Sequence, residues 1–109
     1  MNFINEERIQ AFRKHLIEEE KATATVEKYV HDVTVFAEWL GSRDLEKTVV
    51  LAYKADLCEH HAPASVNAAL SSLNRFFDFC GRHDLRVKNL KIQRQMFASS
   101  DKEIDESRV

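Results

Sequence analysis

A chain of 109 residues, 44% hydrophobic and 31% charged, has the balance of one soluble globular domain, which excludes a disordered polymer and a membrane bundle. Two Gly and one Pro leave little turn chemistry for a β-fold, whereas seven Phe, two Tyr and one Trp can furnish a helical core. The net charge of −2 hides a split: residues 1–60 hold 8 Lys/Arg against 12 Asp/Glu, residues 61–97 hold 6 against 2, and residues 98–109 are acidic again.

Four helical patterns follow one another. The first runs roughly from 6 to 20, with Ile9, Phe12 and Leu16 on one face and Asn5 as its cap. The Thr pair in "KATAT" suits a cap better than a helix interior and breaks the pattern. The second runs roughly from 24 to 40, with Val26, Tyr29/Val30, Val33, Phe36/Ala37 and Leu40 inward and Gly41 as its stop. Asp44 is expected to cap a third helix over roughly 45–59, with Val49/Val50, Tyr53 and Leu57 buried. Pro63 suits the first turn of the fourth, which ends near Gly81.

That fourth helix has two unlike sides. Val66, Leu70, Leu73 and Phe77 form a buried stripe, while Asn67, Ala68, Ser71, Asn74 and Arg75 carry one charge among them. After Gly81, "LRVKNLKI" partly alternates and is basic, so an extended arm is expected over 82–98. The tail from 99 to 109 has no core-forming periodicity and is expected to be disordered. The fold class is therefore all-α: a compact four-helix orthogonal bundle over 1–81, a basic extended arm and a disordered C-terminal tail.

No apolar run approaches the roughly 18 residues of a membrane span. The start, "MNFINEER", lacks the layout of a signal peptide. Two cysteines without such a signal suggest free thiols and a cytoplasmic setting.

Two constellations imitate catalytic or metal chemistry. Cys58, His60, Cys80 and His83 offer zinc-type ligands, but the cysteines are too far apart for the usual paired spacing, so neither metal nor cofactor is expected. "HDLR", His83 to Arg86, matches an H-x-x-R element of phosphotransfer recombinases without the further donors and nucleophile such a site needs. What remains is binding chemistry. Lys, Arg, Ser, Thr and Asn donate to phosphates, and Asn, Gln, Arg and Lys read base edges. The second helix opens with Thr23, Thr25 and Lys28, and the fourth offers Ser65, Asn67, Ser71, Asn74 and Arg75. The arm adds Lys88, Lys91, Gln93, Arg94 and Gln95. A helix face of small residues enters a groove about 12 Å wide more easily than a crowded one. Periodicity alone equally allows Ala68, Ala69, Ser71 and Ser72 to pack against another helix, which would suit a protein–protein interaction module. The basic arm favours nucleic acid.

"TATVEKYVHDVTVFAEWL" followed by "SVNAALSSLNRFFDF" resembles the N-terminal, SAM-like core-binding domain of tyrosine recombinases, the phage-integrase family. The order Thr25, Tyr29, Asp32-Val33, Phe36, Trp39-Leu40 matches that family's second helix. Ser65-Val66-Asn67, Leu70-Ser71, Leu73 and Phe76-Phe77 match its fourth, and "VKNLKIQRQMF" is similar to its interdomain segment. The resemblance implies a monomeric module that helps to clamp double-stranded DNA, inactive alone, whose full-length parent assembles with other recombinase protomers. The catalytic tyrosine would lie in a C-terminal domain beyond this chain, which makes "HDLR" a chance match. Carried over by position, Thr25, Lys28, Ser65, Asn67, Ser71 and Arg75 face DNA, joined as candidates by Thr23 and by Lys88, Lys91 and Arg94 of the arm. Ala68 and Ala69 stand where many relatives have Arg or Lys, which shifts the expected affinity towards Lys28, Arg75 and the arm.

Overall fold

A computed structural model describes residues 4–91. Its elements are α1 (Glu6–Glu18), α2 (Thr23–Leu40), α3 (Lys47–His60) and α4 (Pro63–Phe79), then a 3₁₀ turn at His83–Leu85 and an arm without regular structure to Lys91. The described residues contain no strand, and the all-helical expectation holds. The expected tail and Arg94 lie outside them.

Helix α4 is the centre of the packing, against α2, α3 and the 3₁₀ turn, while α1 packs on α2. The four stripes read from the 3.6-residue period converge there. Phe12, Phe36, Leu70, Leu73, Phe76 and Phe77 are fully buried. Phe12 meets Phe76 edge-on at 5.1 Å, and Phe36 meets Tyr53 at 4.9 Å and Phe77 at 6.2 Å. Trp39 packs at the edge of this cluster with the Arg43 guanidinium 4.2 Å from its ring centre.

The helix ends follow hydrogen-bond logic. The Asn5 side chain accepts from Arg8 N–H at 2.8 Å, the expected cap. Helix α1 stops at Glu18 because Glu20 adopts φ +61°, Lys21 N–H reaches Leu16 C=O at 3.2 Å and Glu20 N–H reaches Ile17 C=O at 2.9 Å. These are the two bonds of a Schellman closure, here with a glutamate at the left-handed position. Helix α4 ends the same way with glycine: Gly81 has φ +74°, and Arg82 N–H reaches Phe77 C=O at 2.8 Å. Gly41 ends α2 at φ +59°.

Three local expectations are corrected. Helix α3 begins at Lys47, with Glu46 in the cap position; the half-buried Leu45 packs on the core, and Asp44 stands too far ahead to cap the first turn. Ala22, making no side-chain bond, precedes α2, so neither Thr of "KATAT" caps it. Asn74, grouped above with the outward side of α4, is buried at 8% exposure. The core also continues past Gly81, since Leu85 and Val87 are buried within it.

Candidate nucleic-acid interface

The arm leaves the 3₁₀ turn at Arg86, whose φ −62° and ψ 142° fall in the polyproline II region. It lies between α3 and α4. From α4, the Asn74 amide donates to Val87 C=O at 2.8 Å and accepts from Val87 N–H at 3.0 Å. Two helical turns earlier, the Asn67 amide repeats the pattern on Leu90, donating at 3.0 Å and accepting at 2.6 Å. From α3, Lys54 Nζ donates to Lys88 C=O at 2.6 Å, and Lys47 Nζ donates to Arg86 C=O. Val87 is buried and Leu90 packs on the core, whereas Lys88, Asn89 and Lys91 are exposed.

Beside the docked arm is an open, mostly polar groove of about 660 Å³. Tyr29 of α2, Ser71 and Arg75 of α4, Lys47 of α3, and Arg86, Lys88 and Asn89 of the arm contribute to its walls. Four cations thus converge from three elements, with Asp78 the acidic side chain among the lining residues. Arg86 pairs with Asp78, and His83 Nδ1 lies 2.8 Å from the same carboxylate. The Arg86 hydrogen bond, followed by that of His83, holds the Asp78 carboxyl below its ordinary range against some desolvation. The H-x-x-R spacing of "HDLR" therefore serves to place both side chains on one acceptor. Arg75 pairs with Glu19 and holds that carboxylate low.

At the opening of α2, Lys28 Nζ lies 3.0 and 2.9 Å from the two oxygens of Asp32. Asp32 is buried at 8% exposure and also accepts from Ser72 Oγ at 2.6 Å, a polar bond across the α2–α4 contact. The Ser/Ala side of α4 thus divides: Ser72 packs inward, while Ser71 stays exposed at the groove. Tyr53 is pushed up to about 12 by burial and then by Asp32 and Asp56, so its hydroxyl resists ionisation.

Of the residues named from sequence, Ser71, Asn74, Arg75 and Lys88 meet at the groove. Thr23, Lys28, Ser65 and Lys91 are exposed and Thr25 half-buried, away from its walls. Asn67 is half-buried, its amide engaged by Leu90. Tyr29, Lys47, Arg86 and Asn89 were missed. The seven-residue spacing of Lys47 and Lys54 on α3, matching that of Asn67 and Asn74 on α4, was the available signal. Among the described residues, no group of three or more His, Cys, Asp or Glu is placed to hold a metal ion, and no helix is long and apolar enough to cross a membrane.

This arrangement offers guanidinium, ammonium, amide and hydroxyl donors on an open basic wall, the chemistry that receives phosphate oxygens. Residues 9–83 match the family model described as "Phage integrase, N-terminal SAM-like domain". The chain belongs to that family. A tyrosine recombinase XerC of Treponema denticola is 30% identical over 86 residues, covering 67% of this chain. The chain spans 28% of that recombinase's length. No solved structure matches significantly. The family match ends at His83, so the SAM-like domain is followed here by an arm docked beyond the matched residues.

Proposed function

We propose that this SAM-like domain is the core-binding part of a site-specific tyrosine recombinase and binds duplex DNA along the groove between α4 and the docked arm. The observation that carries the reading is the convergence of Lys47, Arg75, Arg86 and Lys88 from three elements on one open polar surface. Strand exchange would belong to a further domain bearing the catalytic tyrosine, and other protomers would join the full-length protein on its site. A cytoplasmic setting, where such DNA is met, accords with the two free thiols Cys58 and Cys80.

Within this reading Arg75 and Lys88 neutralise phosphates, Ser71 donates a shorter hydrogen bond, and Thr23, Thr25, Lys28 and Ser65 extend the contact along the openings of α2 and α4. Lys91 continues the arm's charge, and Arg94 would prolong it. Asn67 enters through Leu90 rather than by touching DNA itself. Each neutralised phosphate adds about 0.9 to the slope of log affinity against log salt. A titration of the chain with duplex DNA at several salt concentrations should therefore give binding that weakens steeply as salt rises. Arg75→Ala and Lys88→Ala should each lower that slope by about 0.9 without altering the helical fold. Failure to bind duplex DNA even at low salt would overturn the reading.

A further inference from the structure

We infer that Asn67 and Asn74 form a two-rung clamp that positions the arm's cations at the edge of the groove, making them positioning residues for the DNA interface. The inference rests on the DNA-binding reading above. It starts from a match of lengths. Seven residues of α-helix advance about 10.5 Å, and three residues of polyproline II chain advance about 9.3 Å and complete one turn. Asn67 and Asn74 are therefore spaced to meet Leu90 and Val87 of an arm that enters in that conformation at Arg86.

Each amide makes both bonds that one backbone residue can offer, taking its N–H and giving to its C=O. A carboxamide carries its acceptor and its donor on separate atoms of one plane, so Asn can reach both groups of one residue at once, whereas an ionised Asp lacks the donor and Lys the acceptor. The apolar side chains of Val87 and Leu90 turn towards the core. Because the clamp holds backbone, the side chains of Lys88 and Asn89 are left to line the groove. Lys47 and Lys54 hold the arm's other edge through the carbonyls of Arg86 and Lys88.

A tethered but undocked arm would carry the same charges, yet each phosphate contact would first require the arm to be ordered. Docking removes that cost before DNA arrives. A purely structural amide would change thermal stability when removed and leave the salt dependence of binding alone. A positioning amide changes the salt dependence.

The test uses the full chain and two variants. Asn67→Ala removes the outer rung from α4. Leu90→Pro removes the N–H that rung accepts while leaving every helix residue in place. Amide exchange without DNA should show Val87 and Leu90 protected in the unsubstituted chain, with position 90 opening in Asn67→Ala. Against duplex DNA, both variants should show a salt slope lower by about 0.9 for each arm cation that loses its phosphate. If Asn67→Ala fails to fold, Leu90→Pro decides alone. Binding and slope equal to the unsubstituted chain in the folded variants would overturn the clamp's role and leave the DNA-binding reading standing. Absence of binding by the unsubstituted chain would overturn both.

Discussion

Asp78 receives His83 and Arg86, and the sign of its response to pH follows from that pairing. Its folded pKa lies below the ordinary value of 3.8. The stability it contributes is therefore present above that value and is lost as the pH falls through the depressed one. Asp78→Asn should destabilise the domain modestly near neutral pH, by about 1 kcal/mol or less because the group is over a third exposed. The difference should shrink below about pH 3.8, as read from urea melts of both proteins across that range. The residue scale is also where the sequence was least legible. Ser72 and Asn74 are polar residues on a helix whose apolar stripe already looked complete, so Asn74 fell on the outward side and Ser72 was placed only by an alternative that packed it on another helix. What buries them comes from far along the chain: Asp32 on α2 for the one, Val87 on the arm for the other. No local pattern announces such partners.

The elements were far more legible, for a physical reason. Helices buried on one side must repeat apolar residues every three or four positions, and that period survives whatever they pack against. Ile9, Phe12 and Leu16, or Val50, Tyr53 and Leu57, could therefore be assigned inward before any partner was known, and all are buried. Ends were harder, since a cap depends on one residue's geometry. Asp44 had the right chemistry at the wrong distance from Lys47, and α1 closes on Glu20, a residue type that gives no stop signal. A left-handed conformation costs a non-glycine residue of order 1 kcal/mol, partly offset because glycine loses more entropy on folding. Glu20→Gly should thus raise stability by about 0.5 kcal/mol, visible as a higher urea midpoint with an unchanged m-value. The arm shows the opposite limit. Its partial alternation suggested an extended segment from 82, whereas residues 83–85 form a 3₁₀ turn, and alternation could not say that Leu85 and Val87 close the core.

Across the whole molecule, one aromatic cluster ties the helices into a single cooperative unit. Phe36 touches Trp39, Tyr53 and Phe77, which brings α2, α3 and α4 to one point. Phe36→Ala should cost about 3–5 kcal/mol, a large share of the 5–15 kcal/mol typical of a native domain. Loss of helical circular dichroism and of Trp39 fluorescence should move together in that variant, as one transition requires. The charge split had pointed to the basic half of the chain, and the groove draws Arg75, Arg86 and Lys88 from that half. Lys47 was not legible there, because it stands in the acidic half and reaches the groove only once α3 has folded beside α4. The arm that completes this surface is held by its main chain and by the inward Val87 and Leu90, not by the side chains of Lys88 and Asn89. Its length and its chemistry are consequently under separate constraints. Lys88 and Asn89 can be exchanged for other residues without loosening the attachment, so the same scaffold can be retuned for a different ligand. Deleting or inserting one residue between 87 and 90 would instead throw Leu90 out of step with Asn67, however conservative the new sequence.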